Sequence, residues 1–196
     1  MKEIELLYQA GLSHSWIHDF IVESNKIDPQ PGSDEPGSVV YDGHRDAVFY
    51  AILTASQGRF AIPHEVHQLL LREHPMAKRI RTRETQIGLN PILEPVWIPQ
   101  LFWEWNRLVK RTIERIRRKK PDSENVVYEI WDLHAMFENI HPYEIYNGKT
   151  GRVLMLNHTL LVDLDPWIVP FEGREAYFDI IRNHPSAGWG MNPPEP

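Results

Sequence analysis

The stretch "HPYEIYNGKTGR", His141 to Arg152, decides how this chain is read. An apolar helical pattern, "VVYEIWDLHAMFENI", runs into it, and a second, "GRVLMLNHTLLVD", leaves it. The spacing predicts a helix ending near Ile140, a turn beginning at His141 and a new helix from Asn147 or Gly148. The first turn of a helix carries N–H groups without intrahelical partners, and these favour an anion. Gly148 and Gly151 leave room for a phosphate to approach the helix start, and Lys149 and Arg152, three apart, set two cations beside it. His141 has an imidazole that titrates near neutrality, suited to taking a proton from an attacking hydroxyl. Together these parts describe a site that gathers a nucleotide phosphate and activates a nucleophile. Singly, each has a plainer role: a structural histidine before a proline, an Asn-Gly turn, a solvated pair of basic residues. Ile145 and Tyr146 stand before Asn147, so no carboxylate adjoins the turn to hold a metal, and Glu144 lies one position further back.

With 196 residues and 42% hydrophobic content, the chain is long enough for one globular unit with a sizeable core. Its net charge of -6 gives no reason to expect a general nucleic-acid surface. The local exception is "RLVKRTIERIRRKK", Arg107 to Lys120, with eight basic residues against one acid. It reads as a solvated helix whose cations complement the C-terminal dipole, or as a surface for a phosphate or a partner. There is no cysteine, which excludes disulfides and thiolate chemistry. No run of roughly 18 apolar residues suggests a membrane span, and "MKEIELLYQAG" reads as an amphipathic helix rather than a secretory signal. A cytoplasmic protein without a membrane partner is expected.

Residues 1–27 read as helix in two pieces hinged near Gly11, with Ile4, Leu7 and Tyr8 on one surface and Trp16, Phe20 and Glu23 on another. Asp28 to Ser38 is a loop rich in Pro, Gly and Asp. Helices are expected over His44 to Ser56 and from Pro63 onward. Between Arg79 and Pro99, the alternation of Thr85 with Ile87 and of Val96 with Ile98 predicts a two-stranded flap leaning on the helical body. The tail "GWGMNPPEP" reads as an extended end. The expected fold class is therefore all-α, mainly a helical bundle, with one β-hairpin. His14 with His18 and His64 with His67 have ligand-compatible spacing, but no third ligand is positioned, so no metal site is expected. His134, one turn before Glu138, reads as an active-site neighbour or a helix histidine, and most of the seven tryptophans read as core.

"HPYEIYNGKTGR" resembles the signature of the Fic (Fido) family, H-P-F-x-D/E-G-N-G-R-x-x-R. His141, Pro142, Asn147, Gly148 and Arg152 match it directly; Tyr143 stands for its aromatic residue and Lys149 for its first arginine. "RIRTRETQIG" with "VWIP" resembles the family's flap segment, and "DLHAMFENIHPY" its run-in helix, so the likeness covers residues 44–180 of a single domain. The resemblance implies a helical bundle with a β-hairpin flap over the active loop. It also implies transfer of AMP, or another phosphate-containing group, from ATP or another nucleotide to a protein hydroxyl. On that basis His141 is the general base, Asn147 fixes phosphates, Gly148 contributes to the anion nest, Arg152 grips the outer phosphates and Lys149 adds a cation without the fork of an arginine. Thr85, Gln86 and Ile87 in the flap receive the target protein as an added strand. Ile145 replaces the acid that holds Mg²⁺ in the family and Tyr146 replaces a glycine. These departures leave metal dependence open and keep a catalytically silent nucleotide- or protein-binding module as the alternative. "DFIVESNKI", Asp19 to Ile27, resembles the family's inhibitory helix, S/T-x-x-x-E-G/N, with Glu23 expected to pair with Arg152.

Overall fold

The computed structural model describes residues 13–30, 35–87, 90–120 and 122–190. The chain forms two compact units, residues 1–78 with 148–174 and residues 79–147 with 175–196. Gly11, the expected hinge, lies outside the described residues, as do Ile4, Leu7 and Tyr8.

In the first unit, helix α1 spans His14–Ile27 and starts where the Ser13 hydroxyl accepts the Trp16 N–H at 3.1 Å. Its Ile17, Phe20, Ile21 and Ile27 are buried, the 3.6-residue stripe of a core-facing helix. Helix α2 spans Val39–Ser56, beginning five residues before the expected His44 because the Ser38 hydroxyl caps the Tyr41 N–H. Helix α3, Pro63–Leu71, has proline in its first turn. A Cβ on Gly43 of α2 would lie 2.8 Å from the carbonyl oxygens of Leu69 and Leu70, so only glycine lets α2 and α3 approach this closely. Helix α6, Asn147–Leu161, belongs to this unit from Gly148 onward. Val153, Leu154, Met155 and Leu156 are all buried, which is possible only for a helix enclosed on every side. Its buried Asn157 bonds Ala61 N–H at 3.0 Å and the Ala51 carbonyl at 2.9 Å, satisfying loop and helix groups that water cannot reach.

The second unit is built on helices α4, Ile98–Lys119, and α5, Ser123–Ile140. On α4, Ile98, Leu101, Phe102, Trp105, Val109, Ile113 and Ile116 are buried at helical spacing, and Arg117, Arg118 and Lys119 occupy the last turn. The Asp122 carboxylate caps α5 through Asn125 N–H at 3.0 Å. Phe102, Trp105, Phe137 and Tyr143 form an aromatic cluster, with ring centroids 5.1 Å apart for Trp105 and Phe137 and 6.0 Å for Phe102 and Tyr143. Helix α7, Arg174–Asn183, and a 3-10 turn at Pro185–Gly190 close the unit, and the buried Asn139 carboxamide donates to the Ile181 carbonyl and the Ser186 hydroxyl. The Gly188 to Gly190 part of the tail is thus 3-10 helix rather than extended chain.

The helical bundle stands, but the expected β-hairpin flap over the active loop does not. Val96 lies in a 3-10 turn, Pro95–Trp97, and Ile98 opens α4, so the second strand is absent. Pro95 and Pro99 remove the N–H donors such a strand needs, and the helical run of Ile98, Leu101, Phe102 and Trp105 overrides the two-residue alternation. Strand pairing among the described residues shrinks to a two-residue ladder, Gln86–Ile87 against Asn90–Pro91, and an isolated bridge between Ile80 and Tyr143. Among the described residues, no helix is long and apolar enough to cross a membrane.

Candidate phosphate-transfer site

Helix α5 ends at His141, which adopts the left-handed conformation, φ 49° and ψ 60°, and donates its N–H to the Phe137 carbonyl at 3.0 Å. Its Nδ1 lies 3.3 Å from the Glu138 carbonyl. A carbonyl only accepts, so Nδ1 carries the proton of the neutral ring and Nε2 is the basic nitrogen. The residue that pins this corner is Arg81, which sequence reasoning did not single out. Its buried side chain donates to the carbonyls of His141 at 3.0 Å, Arg83 at 2.7 Å, Leu93 at 2.6 Å and Ile140 at 3.5 Å, and its N–H reaches the Pro142 carbonyl at 2.9 Å. An arginine fork satisfies several carbonyls at once, including those a helix C-terminus leaves without partners. Burial pulls its pKa below the ordinary arginine value.

The loop that follows is braced from within. Asn147 Oδ1 accepts the Tyr143 N–H at 2.9 Å while its Nδ2 donates to the Tyr143 carbonyl at 2.8 Å. Both ends of the expected phosphate-fixing carboxamide thus bond the loop backbone. Tyr143 is fully buried, and loss of water raises its hydroxyl pKa far above the usual tyrosine range. Glu144 Oε1 accepts both the N–H and the hydroxyl of Thr82 at 3.1 Å, and the Thr82 backbone bond holds its pKa below the ordinary carboxylate value. Tyr146, where the resembled signature has glycine, sits at φ 62°, a conformation that costs an L side chain about 1–2 kcal/mol.

In the first unit, Lys149 is fully buried and its Nζ bonds the Asp28 carbonyl, with the Asp28 carboxylate 3.5 Å away. Arg152 is 2% exposed; its Nε donates to the Ser24 hydroxyl at 2.8 Å and its Nη2 to the Ser24 carbonyl at 3.0 Å. Its Nη1 lies 3.0 Å from where a Cβ on Gly148 would be, so a side chain at 148 would push the guanidinium away. His44, fully buried beside them, bonds Asn25 Oδ1 at 3.1 Å and has its pKa driven well down by burial and then by the positive charges of Lys149 and Arg152. Glu23 does not take the position expected of it. Its carboxylate accepts from Lys26 Nζ at 2.6 Å and from the Phe171 N–H at 2.7 Å, and it is Ser24, one residue on, that meets Arg152. Gly151 is buried within α6.

Thr85 is exposed and its carbonyl accepts the Ile92 N–H at 3.3 Å, while Gln86 and Ile87 form one side of the short ladder, Gln86 opposite Pro91 and Ile87 opposite Asn90. His134 is a core histidine, bonded through Nε2 to the Tyr177 hydroxyl at 2.9 Å. His67 Nδ1 accepts the Lys78 N–H at 2.9 Å. Among the described residues, no group of three or more His, Asp or Glu comes together to hold a metal. Ile145 offers no donor and Glu144 is bound to Thr82, so the residues present do not fit Mg²⁺. Lys149 and Arg152 bring positive charge and N–H donors to the start of α6, where they are bonded to Asp28 and to Ser24.

No family model matches the chain. A segment of 75 residues, 38% of the chain, is 32% identical to a probable protein adenylyltransferase of Aquifex aeolicus and spans only 22% of that protein's length. Among solved structures, a Fic domain containing signaling protein from Bacteroides thetaiotaomicron is similar at a TM-score of 0.73, over 96% of this chain and 80% of that one, with 12% sequence identity. The chain therefore has the fold of a Fic-domain protein, together with a short, weak sequence relationship to an adenylyltransferase.

Proposed function

We propose that the chain is a Fic-like transferase that moves AMP, or another phosphate-containing group, from a nucleotide to a protein hydroxyl without the metal-binding acid of the signature it resembles. The observation that carries this reading is the pair Lys149 and Arg152, two basic side chains buried together at the start of α6 and both near enough to His44 to lower its pKa. Buried cations need an anion or several acceptors, and a polyphosphate takes over that role when its oxygens replace the Ser24 and Asp28 acceptors that hold them now. Arg152 and Lys149 hold the phosphate charge in place of a metal, and the Gly148 N–H adds a donor at the helix start. His141 Nε2 takes the proton of the target hydroxyl, its ring oriented by the Nδ1 bond to the Glu138 carbonyl. The target oxygen bonds the phosphorus of the transferred group as the bond to the rest of the nucleotide breaks, pyrophosphate leaving when AMP is transferred from ATP, and the target backbone meets the chain at Thr85, Gln86 and Ile87.

The alternative, a catalytically silent nucleotide- or protein-binding module, is favoured by a specific observation. The Asn147 carboxamide is spent on Tyr143, and the two cations on Ser24 and Asp28. Incubation with radiolabelled nucleotides in a lysate, with and without Mg²⁺ or Mn²⁺, separates the readings. Label transfer that needs no metal and is lost in His141→Ala supports the transferase. Absence of label with any donor, with nucleotide affinity unchanged in His141→Ala, establishes the silent module. Label that appears only in Ile145→Asp with metal shows that the missing carboxylate alone silences the site.

A further inference from the structure

The basic segment of α4 has no part in the phosphate reading, and the fold gives it a distinct setting. Along the outer side of α4, where α5 runs beside it, lies a cavity of about 350 Å³. Its apolar lining is Leu101, Trp105, Leu108 and Met136, and the exposed Arg107 and Arg111 line it as well. Among the described residues, neither arginine makes an ion pair, nor does Lys110 between them. Glu104, the carboxylate at the same cavity, is bonded by the Gln100 carboxamide at 3.2 Å. The Arg107 guanidinium carbon lies 4.5 Å from the centre of the Trp103 ring, a cation–π contact. Large apolar groups are exposed here too: Leu108 in the lining is 36% exposed, and Trp103, against Arg107, 58%. In a chain of net charge -6, a pair of exposed arginines in the lining of an apolar recess is a local inversion of the surface.

We propose that this recess between α4 and α5 docks an acidic amphipathic helix of a partner protein, one bulky apolar side chain seated on Leu108 and Met136 and two carboxylates on Arg107 and Arg111. Residues four apart on a helix lie about 5–6 Å apart, so Arg107 and Arg111 match carboxylates one turn apart on the partner. Planar guanidinium forks bind carboxylates bidentately and specify their direction. The recess also selects a helix over a lipid surface. A bilayer presents a flat headgroup layer, whereas this apolar lining, shared with two arginines, forms a recess that a single side chain can enter. The proposal stands whether or not the transferase reading does.

The test is selection of a displayed random peptide library on the immobilised full chain, followed by affinity measurements on the synthesised winner. Enriched peptides should carry at least a pair of acidic residues around a Leu, Met or Phe. Their affinity should fall about tenfold or more in Leu108→Glu and in Arg111→Glu, and weaken as salt is raised. Both positions are exposed, and unchanged thermal unfolding of the two variants shows that the fold is intact. Failure to enrich any acidic peptide, or equal affinity of the winner for wild type and both variants, overturns the proposal. So does binding of the chain to phosphatidylserine vesicles, or self-association, that depends on Arg111 while no peptide binds.

Discussion

Arg152 donates to the Ser24 hydroxyl at 2.8 Å and to the Ser24 carbonyl at 3.0 Å, so the cation best suited to a phosphate is held by α1. The neighbouring Glu23 turns to Phe171 and Lys26. Ser24→Ala removes one acceptor from a buried guanidinium, so stability should fall by about 1–3 kcal/mol while ATP affinity rises, because Arg152 has less to give up. Glu23→Gly leaves the Ser24 contacts in place and should change ATP affinity less. Calorimetric titration of both variants with ATP checks the order. A rise in Glu23→Gly alone would return the inhibitory role to the carboxylate.

Arg81 holds four carbonyls around the end of α5, two of them from Ile140 and His141. Arg81→Met strands these acceptors in a buried site and should cost several kcal/mol, on the order of 2–5, in denaturant unfolding. Arg81→Lys should recover little of this, because an ammonium cannot reproduce the planar fork. Equal stability of Arg81→Lys and wild type would show that charge alone matters at this position.

These two residues show where the sequence was legible. Helices α5 and α6 could be read because apolar residues recur at helical spacing on either side of His141 to Arg152, and the loop between them follows from their ends. Arg81 could not, since its role depends on carbonyls about sixty positions away in sequence, and main-chain groups leave no mark on residue type. Ser24 and Glu23 are adjacent, and one helical step rotates a side chain by about 100°, so the packing of Phe20, Ile21 and Ile27 decides which of the two meets Arg152. The missing strand failed for a similar reason, since Ile98 fits an alternating pattern and a helical one equally until Leu101, Phe102 and Trp105 are counted with it.

Tyr146 occupies a left-handed backbone position at φ 62°. Tyr146→Ala keeps that strain and loses the ring, whereas Tyr146→Gly loses the ring and relieves the strain. The glycine variant should therefore be the more stable of the two by about 1 kcal/mol, reversing the usual order of alanine and glycine. Paired denaturant curves decide it, and an alanine variant as stable as the glycine one would mean that the loop relaxes around residue 146.

The buried histidines set a pH dependence whose sign can be worked out. Burial lowers the His158 pKa to about 4 from an ordinary 6.5, and His44 is lowered as well, by burial and by the nearby cations. Between these values the unfolded chain binds protons that the folded chain refuses, so unfolding becomes easier as pH falls from about 6.5 towards 4, and this loss levels off once His158 is protonated in both states. A shift of this size for His158 corresponds to about 3 kcal/mol. The lowered carboxylates Glu23 and Glu144 act in the same direction, but only below their ordinary value of 4.5, so the upper part of the window belongs to histidine. The half-buried His64 and His184 are lowered too and act in the same direction, so unfolding free energy measured from pH 7 down to 5 should decline with a slope of two protons or more below pH 6.5, and His44→Gln should reduce that slope by about one. A flat profile over this range would mean that water reaches both rings in the folded protein, and with it that the cationic pair beside His44 is open to solvent.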